Sequence, residues 1–475
     1  MYVEDVVIGR DAEQAKLLDA LESPRSELIV VYGRRRIGKT YLIRNTYADV
    51  IRIEFAGMHR GSYKDQLKNF HKALTKQWKK APVPVDWIEA FDLLGKYLGG
   101  LKSKSKRVVF IDEFPWLDTR RSGFLPAFSN FWNSYAAKRK DLVVVICGSA
   151  ASYMVTEVIK SKGGLHNRLT QRIRLAPFNL RDTEQLLQRN RVRLTRYDIV
   201  QLYMALGGVP YYLQLVNPGE SVAQAIDRLC FEPNGFLREE FGQVFASLFE
   251  RSENHTAIVR ALANVRKGLT RNEVLRKSKV RTGGTLTSTL TELEQSGFIE
   301  RYTPYKGSKD PLFRLTDEYS LFYLRFIEGT KPAKRGLWMK LSQQPAFKVW
   351  AGFTFETICM KHVEQIKEAL RIGGIRSVEG SWIGRGAKGA QVDLLIDRDD
   401  NVINLCEMKF ANAQFTIDKK YAGELATKVE AFRAGTRTHK SIFTTFITTH
   451  GLAPNAYSRQ LVQNELTMEA LFAIL

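Results

Sequence analysis

Gly33, Arg34, Arg35, Arg36, Ile37, Gly38, Lys39 and Thr40 stand in the order G-x-x-x-x-G-K-T, a spacing suited to gripping phosphate. The glycines allow a tight turn in which consecutive backbone N–H groups point at phosphate oxygens. Lys39 adds a point charge, and the Thr40 hydroxyl is a ligand for Mg²⁺. ATP with Mg²⁺ is the first ligand this predicts, lined by Gly33 through Tyr41. Such a loop alone neither completes the metal shell nor orients water. The adjacent acids Asp112 and Glu113 answer both needs, Asp112 by holding Mg²⁺ through water and Glu113 by polarising the attacking water. The predicted reaction is hydrolysis of ATP to ADP and phosphate. A second set of groups lies further along the chain. Asp393 and Glu407 offer oxygen ligands for Mg²⁺, and Glu356 completes the shell. Lys409 orients or deprotonates water and stabilises phosphorane charge. That is the chemistry of metal-assisted phosphodiester cleavage.

These residues need particular elements to carry them. The apolar run Leu28–Tyr32 precedes the phosphate loop, and a helix opens at Lys39. The run Arg107–Ile111 ends in Asp112 and Glu113, and Leu142–Cys147 ends at Gly148 and Ser149. Continuous apolar runs of this length are the signature of strands buried on both faces of a parallel sheet, whose carboxyl edge carries function. Residues 1–245 are therefore expected as a parallel α/β domain. In the C-terminal part, Glu356 falls in a helical run (Phe353–Ile366), Asp393 in the strand Val392–Ile396, and Glu407 and Lys409 in the strand Val402–Phe410. Alternation puts Glu407 and Lys409 on one face, and Asp399-Asp400-Asn401 is a turn joining the two strands as a hairpin. Upstream, Gly384-Arg385-Gly386-Ala387-Lys388-Gly389 is a basic loop for a phosphate backbone, with Gln391 as an assistant. Tyr421 and Lys428 are secondary candidates for packing or backbone contact.

The period changes over residues 246–330. His255–Asn264 is amphipathic, Thr270-Arg271-Asn272-Glu273 forms a capping box, and Thr282–Ser296 reads as a third helix ending at Gly297. The strands Phe298–Tyr302 and Leu312–Leu315 flank a loop containing Lys306, Gly307, Ser308 and Lys309. This order predicts a winged helix-turn-helix. Its third helix would present Thr285, Thr287, Ser288 and Thr291 to a groove, while the wing and Lys277, Lys279 and Arg281 meet phosphates. The same module also serves for docking between domains, and the scarcity of arginine on the third helix argues against base-specific reading. Residues 331–345, opening Lys331-Pro332-Ala333-Lys334-Arg335-Gly336, read as a basic linker, and 346–475 as a separate domain.

The chain has 475 residues and a formal charge of +22. The length predicts several domains, each with its own core. The charge favours a polyanion, most simply nucleic acid, without distinguishing DNA, RNA and anionic lipid; DNA is the partner expected once the C-terminal acids and Lys409 are added. Four scattered cysteines, with no C-x-x-C pair, indicate neither zinc nor a disulfide framework. His362 and the tryptophans Trp87, Trp116, Trp132, Trp350 and Trp382 read as packing residues. With no leader and no run long enough for a membrane span, the expectation is a cytoplasmic protein without a membrane partner.

At its motifs the chain resembles the predominantly archaeal P-loop ATPases of the AAA+/STAND class, also found in bacteria, which often carry a C-terminal restriction-endonuclease-like domain. The resemblance rests on Ile8-Gly9-Arg10-Asp11-Ala12-Glu13, where Glu is usual in place of Asp11, and on the phosphate loop. It continues through Asp112-Glu113-Phe114-Pro115-Trp116, Gly148-Ser149, the Arg168 region and Gly207-Gly208-Val209-Pro210-Tyr211-Tyr212-Leu213. It implies an AAA+-like sheet with a helical lid at Gly207–Leu213, Ser149 as a γ-phosphate sensor, and Arg168 as a second sensor acting within the chain or across to a neighbour. The Asp393 and Glu407-x-Lys409 pattern is similar to the D-x(n)-E-x-K arrangement of PD-(D/E)xK nucleases. The fold expected is thus a P-loop NTPase, a winged helix and a nuclease-like α/β domain. Three outputs stay open: ATP-gated DNA cleavage, a non-cleaving regulatory switch, and a DNA-remodelling ATPase. The oligomeric state is open as well.

Overall fold

The computed structural model describes residues 7–102, 105–160, 163–165, 167–249, 251–307, 310–332, 336–384 and 390–475. The chain divides into two compact units, one formed chiefly by residues up to Ala176 and the other chiefly by residues from Pro177 onward.

The first unit is built on a parallel five-stranded sheet: β1 (Glu27–Tyr32), β2 (Ile51–Ala56), β3 (Arg107–Asp112), β4 (Leu142–Gly148) and β5 (Gln171–Arg174), in the order β2-β3-β4-β1-β5. Alternation explains why the runs are apolar throughout. Leu28, Val30, Val109, Ile111, Val144 and Ile146 join one core, while Ile29, Val31, Val108, Phe110, Val143 and Val145 join the core on the opposite face. Each such side chain stabilises the fold by roughly 1.5–3 kcal/mol, so the sheet cannot slip register without exposing both layers. Because all strands run the same way, Gly33, Asp112 and Ser149 emerge at one edge, and β4 brings Ser149 between the phosphate loop and the acids.

In the second unit, the helix Leu180–Arg189 starts at a capping box made by Asn179 and Asp182. The segment after the helix Arg196–Leu206 passes so close to Phe178 that a Cβ on Gly208 would sit 1.8 Å from the Phe178 carbonyl oxygen. Pro210 then opens the short helix Pro210–Leu213. The elements from Leu180 to Ser247 group with the later segments.

The middle segment contains the helices Ser252–Ala263, Arg271–Ser278 and Gly284–Gln295, with β6 (Leu269–Thr270), β7 (Ile299–Tyr302) and β8 (Leu312–Leu315) forming an antiparallel sheet ordered β6-β8-β7. The short strand β6 was not foreseen. Thr270 caps the second helix through Glu273. Thr285, Thr287, Ser288 and Thr291 are all exposed, but their hydroxyls donate to backbone carbonyls of Thr285, Thr287 or Gly283 for Ser288, Thr291 and Thr287 respectively.

The loop between β7 and β8 differs from expectation. Tyr305 N donates to Ser381 O at 2.7 Å, its phenol donates to Asp397 at 2.7 Å, and its ring stacks on Phe432. Lys306 Nζ donates to Thr436 O at 3.3 Å. The described part of this loop is therefore held by the C-terminal sheet and helix instead of standing free for phosphate. Ser308 and Lys309 lie outside the described residues.

The stretch expected as a linker contains the helix Leu337–Ser342. The buried Asp227 carboxylate accepts from Gly336 N and Trp338 N at 3.1 and 2.7 Å, and Trp338 packs among Phe231, Phe322, Phe326 and Phe347. Aromatic burial and a charged cap hold the segment down. Ala333, Lys334 and Arg335 lie outside the described residues.

The C-terminal sheet contains β9 (Ser377–Ile383), β10 (Gln391–Arg398), β11 (Val402–Lys409), β12 (Ser441–Thr448) and β13 (Asn464–Thr467), ordered β13-β12-β11-β10-β9. The first three are antiparallel neighbours, and β11, β12 and β13 run parallel. The helix Lys419–Thr436 makes the crossover a parallel β11–β12 pair requires. Trp382, Val392, Leu395, Ile403, Leu405 and Phe432 make a core between sheet and helix. Trp87, Trp132, Trp350 and Trp382 are buried, as expected of packing residues. All four cysteines are buried and free. Among the described residues no helix is long and apolar enough to cross a membrane.

Candidate functional site

At the carboxyl edge of the first sheet, β1 runs into the loop and the helix Lys39–Thr46 begins beyond it. Gly33 has φ +150°, and a Cβ there would lie 2.4 Å from Leu175 O, so the strand exit requires glycine. Lys39 is buried and its Nζ donates to Gly33 O, Arg34 O and Ser149 Oγ at 3.0, 2.9 and 2.9 Å. Its charge is thereby fixed in the mouth of the loop. Arg34 is buried and Arg35 and Arg36 are half-buried. Ile37 is wholly buried in the core, and Tyr41 is 42% exposed on the outer side of the helix. From the entry segment, the Arg10 guanidinium donates to Ile37 O and Ala176 O at 3.3 and 2.6 Å, bracing the loop from behind.

Thr40 Oγ1 donates to Asp112 Oδ2 at 2.8 Å. A hydroxyl and a carboxylate side by side are hard oxygen donors of the kind Mg²⁺ takes, so these residues fit the ion. Glu113 has φ +44°, which turns its side chain back toward β4. Ser149 Oγ donates to Glu113 Oε1 at 2.8 Å and Ser149 N donates to Oε2 at 3.3 Å. Ser149 thus links Lys39 to Glu113. Arg168 is exposed, and its guanidinium makes no hydrogen bond to Lys39, Thr40, Asp112, Glu113 or Ser149 among the described residues.

In the second unit, β10 pairs with β11 so that Leu394 faces Cys406. Just beyond that pair, Asp393 and Glu407 line one cleft. Glu356 comes from the helix Pro345–Lys361. The sequence set is therefore gathered, but each carboxylate already has a cation. One Arg266 guanidinium bridges Glu356 and Asp393, the latter at 2.5 Å, while lying over the Phe353 ring at 4.5 Å. Gln391 Nε2 donates to Asp393 Oδ1 at 2.6 Å. Lys428 is ion-paired to Glu407, and the Tyr421 phenol donates to Glu407 Oε2 at 2.9 Å. Lys409 is 3.8 Å from Glu407 and lies over the Tyr421 ring at 4.8 Å.

Burial, then repulsion from Asp393, pushes Glu356 up to about 8 against the pull of Arg266 and Lys409. Burial, then the Glu407 carboxylate, raises the Tyr421 phenol and keeps it a donor. Among the described residues no group of three or more His, Cys, Asp or Glu side chains is placed to hold a metal ion. The expected Mg²⁺ shell of Glu356, Asp393 and Glu407 is therefore corrected for this arrangement: the side chains converge, but guanidinium and ammonium groups take the negative charge an ion would use. The residues in this arrangement do not fit the ion.

Sequence reading missed Arg266, which lies 90 and 127 positions from its two acidic partners and follows no motif. Tyr421 and Lys428, expected as secondary candidates for packing or backbone contact, both engage the Glu407 carboxylate. The basic loop residues Arg385, Gly386, Ala387, Lys388 and Gly389 lie outside the described residues. His362 is a packing residue: Nδ1 lies 2.7 Å from Ile358 O, and Nε2 accepts from Leu180 N at 3.0 Å.

A parallel sheet carrying a glycine-lined loop, its lysine, and adjacent acids at one edge defines a P-loop nucleoside triphosphatase. Residues 8–216 match the family model described as an ATPase domain predominantly from Archaea, and this part of the chain is an archaeal-type P-loop ATPase domain. The protein is an ATP-hydrolysing enzyme. An uncharacterized protein of Methanocaldococcus jannaschii is 25% identical over 428 residues, which cover 89% of this chain and 91% of the relative. A Walker-type ATPase of Pyrococcus abyssi is 19% identical, with a TM-score of 0.46 over 67% of this chain and 96% of that one. The ORC2 protein of Aeropyrum pernix, solved in ADPNP–ADP complexes, is 14% identical, with a TM-score of 0.42 over 68% of this chain and 94% of that one.

Proposed function

We propose that this ATPase acts on DNA, through a winged helix-turn-helix in residues 246–330 and a PD-(D/E)xK nuclease-like domain in residues 346–475. The carrying observation is the β10–β11 hairpin, which brings Asp393, Glu407 and Lys409 to one cleft with Glu356 alongside from a helix. The +22 charge supports a nucleic-acid partner.

In the ATPase site, Lys39 and the loop N–H groups orient the triphosphate, and Thr40 and Asp112 hold Mg²⁺. Bound Mg²⁺ supplies neutralisation of phosphate charge. Glu113 takes a proton from the attacking water, and Ser149 sets the direction of its carboxylate and reports on the γ-phosphate. Arg168 is a second sensor in this reading, reaching the phosphate only if its segment or a neighbouring copy moves.

A second reading, a switch whose C-terminal domain binds DNA without cutting it, is favoured by the cations on all three carboxylates. The test is cleavage of supercoiled and single-stranded DNA with Mg²⁺ or Mn²⁺, with and without ATP. Wild type is compared with Lys39→Ala, Glu113→Gln and Lys409→Ala. Cleavage lost in Lys409→Ala and altered in the two ATPase variants supports the gated nuclease. No cleavage under any condition, with ATP hydrolysis intact, leaves the switch.

A further inference from the structure

The guanidinium on the Glu356 and Asp393 carboxylates comes from outside the C-terminal domain. Arg266 sits in the turn between the helix Ser252–Ala263 and β6, where Val265 N donates to Leu262 O and Gly268 N to Val265 O at 3.0 and 2.9 Å. The turn is braced: Tyr302 in β7 donates to Lys267 O at 2.5 Å. Below, Arg314 in β8 donates to Met360 Sδ at 3.1 Å on the helix that bears Glu356. Tyr305 and Lys306 anchor the same module to β9, β10 and the helix Lys419–Thr436.

Arg266 lines two openings at once. One is a cavity of about 560 Å³ bounded by Leu262, Tyr302, Leu324, Trp350 and Phe353, and the other is the cleft containing Asp393, Glu407 and Lys409. Its side chain is 35% exposed, so solvent reaches the guanidinium where it is held. Were it a purely structural ion pair, a place on an exposed rim would serve. Instead it spans the two acids that a divalent ion would need together.

The geometry points to Arg266 as a built-in competitor of divalent metal. While the middle module is docked, its guanidinium occupies the Glu356 and Asp393 carboxyl oxygens, and withdrawal of the turn frees both. Metal occupancy and the docked position of the module exclude each other, so each shifts the other's equilibrium. A ligand that draws the middle module away, DNA in the reading above, raises metal affinity. The inference rests on the proposed nuclease-like reading of the acids.

The test is Mn²⁺ binding to the full chain without nucleotide, followed by electron paramagnetic resonance. Wild type is compared with Arg266→Met, which keeps the apolar stem over Phe353 and removes the charge, and with Arg266→Lys, which keeps a charge but cannot fork across both acids. Loss of a close charge pair of this kind is expected to give Arg266→Met one added site, at least about tenfold tighter than anything gained by wild type. Arg266→Lys should fall between, and Asp393→Asn added to Arg266→Met should abolish the gain. Circular dichroism confirms that each variant is folded. A folded Arg266→Met or Arg266→Lys that binds no more Mn²⁺ than wild type overturns the proposal. Metal gained by Arg266→Met without any DNA cleavage keeps the competitor and removes the nuclease. Cleavage without metal gain does the reverse.

Discussion

Thr40 Oγ1 donates to Asp112 Oδ2 at 2.8 Å, joining the first turn of the helix after the phosphate loop to the last residue of a strand two places away in the sheet. That bond sets two oxygen donors at one point, and Ser149, just past the end of the strand between, links Lys39 to Glu113. The ATPase site is thus a product of strand order as much as of the motif.

Lys39→Ala should weaken ATP binding and reduce hydrolysis at least about 100-fold, because the buried ammonium is a side-chain charge held in the loop mouth by three hydrogen bonds. Glu113→Gln should keep ATP affinity and lose about 100-fold or more in kcat, the amount typical of a missing base. Nucleotide titration beside a phosphate-release assay separates the two. Equal kcat for Glu113→Gln and wild type would remove Glu113 as the base.

Ser149→Ala should lower kcat about tenfold with little change in KM, since it removes a hydroxyl that orients Glu113 but leaves the backbone N–H in place. Ser149→Thr should recover part of the rate. A rise in KM at constant kcat would instead make Ser149 a ground-state contact.

Gly208→Ala should destabilise the second unit by at least about 3 kcal/mol, because its methyl would overlap the Phe178 carbonyl and the backbone must shift. Gly33→Ala meets both Leu175 O and an unfavourable φ and should lose ATP binding. Urea unfolding and nucleotide titration read the two effects; wild-type behaviour in both would place these backbones elsewhere.

His362 is buried, and burial holds its pKa down at about 4 from an ordinary 6.5, outweighing the hydrogen bond to Ile358 O that favours the charged form. The neutral ring accepts from Leu180 N, which protonation of Nε2 would end. With the folded pKa depressed, its stabilisation is fully present above pH 6.5 and is lost as pH falls from 6.5 toward 4, a total of roughly 3 kcal/mol. His362→Gln should flatten the pH dependence of unfolding across that window relative to wild type. Parallel curves for the two proteins would show that His362 does not titrate on unfolding.

Lys277 and Lys279 are exposed, beside the helix Gly284–Gln295. Replacing both with alanine should reduce the slope of log affinity for duplex DNA against log salt by about two, one for each lost phosphate contact. An unchanged slope would take these lysines out of the interface.

The nucleotide site was legible because its parts are local. A phosphate loop needs consecutive N–H groups, so its residues must be contiguous, and the strands bearing Asp112 and Ser149 announce themselves as apolar runs. The hairpin carrying Asp393 and Glu407 was legible for the same reason, through alternation and the turn at Asp399-Asp400-Asn401. Burial of two charged stretches was not legible in the chain: Asp227 and the aromatic residues around Trp338 hold the described residues after Gly336, and Ser381, Asp397 and Thr436 hold Tyr305 and Lys306.

By itself, the sequence determined the phosphate loop, the strands that present it and the placing of Asp393 and Glu407 on strands. Only the tertiary structure decided the state of those acids. Whether Glu356 and Asp393 face an ion or a guanidinium depends on how a turn 90 and 127 positions away packs against them. A pairing between separate elements leaves no period, spacing or local preference in the chain, because its energy exists only once the elements are packed.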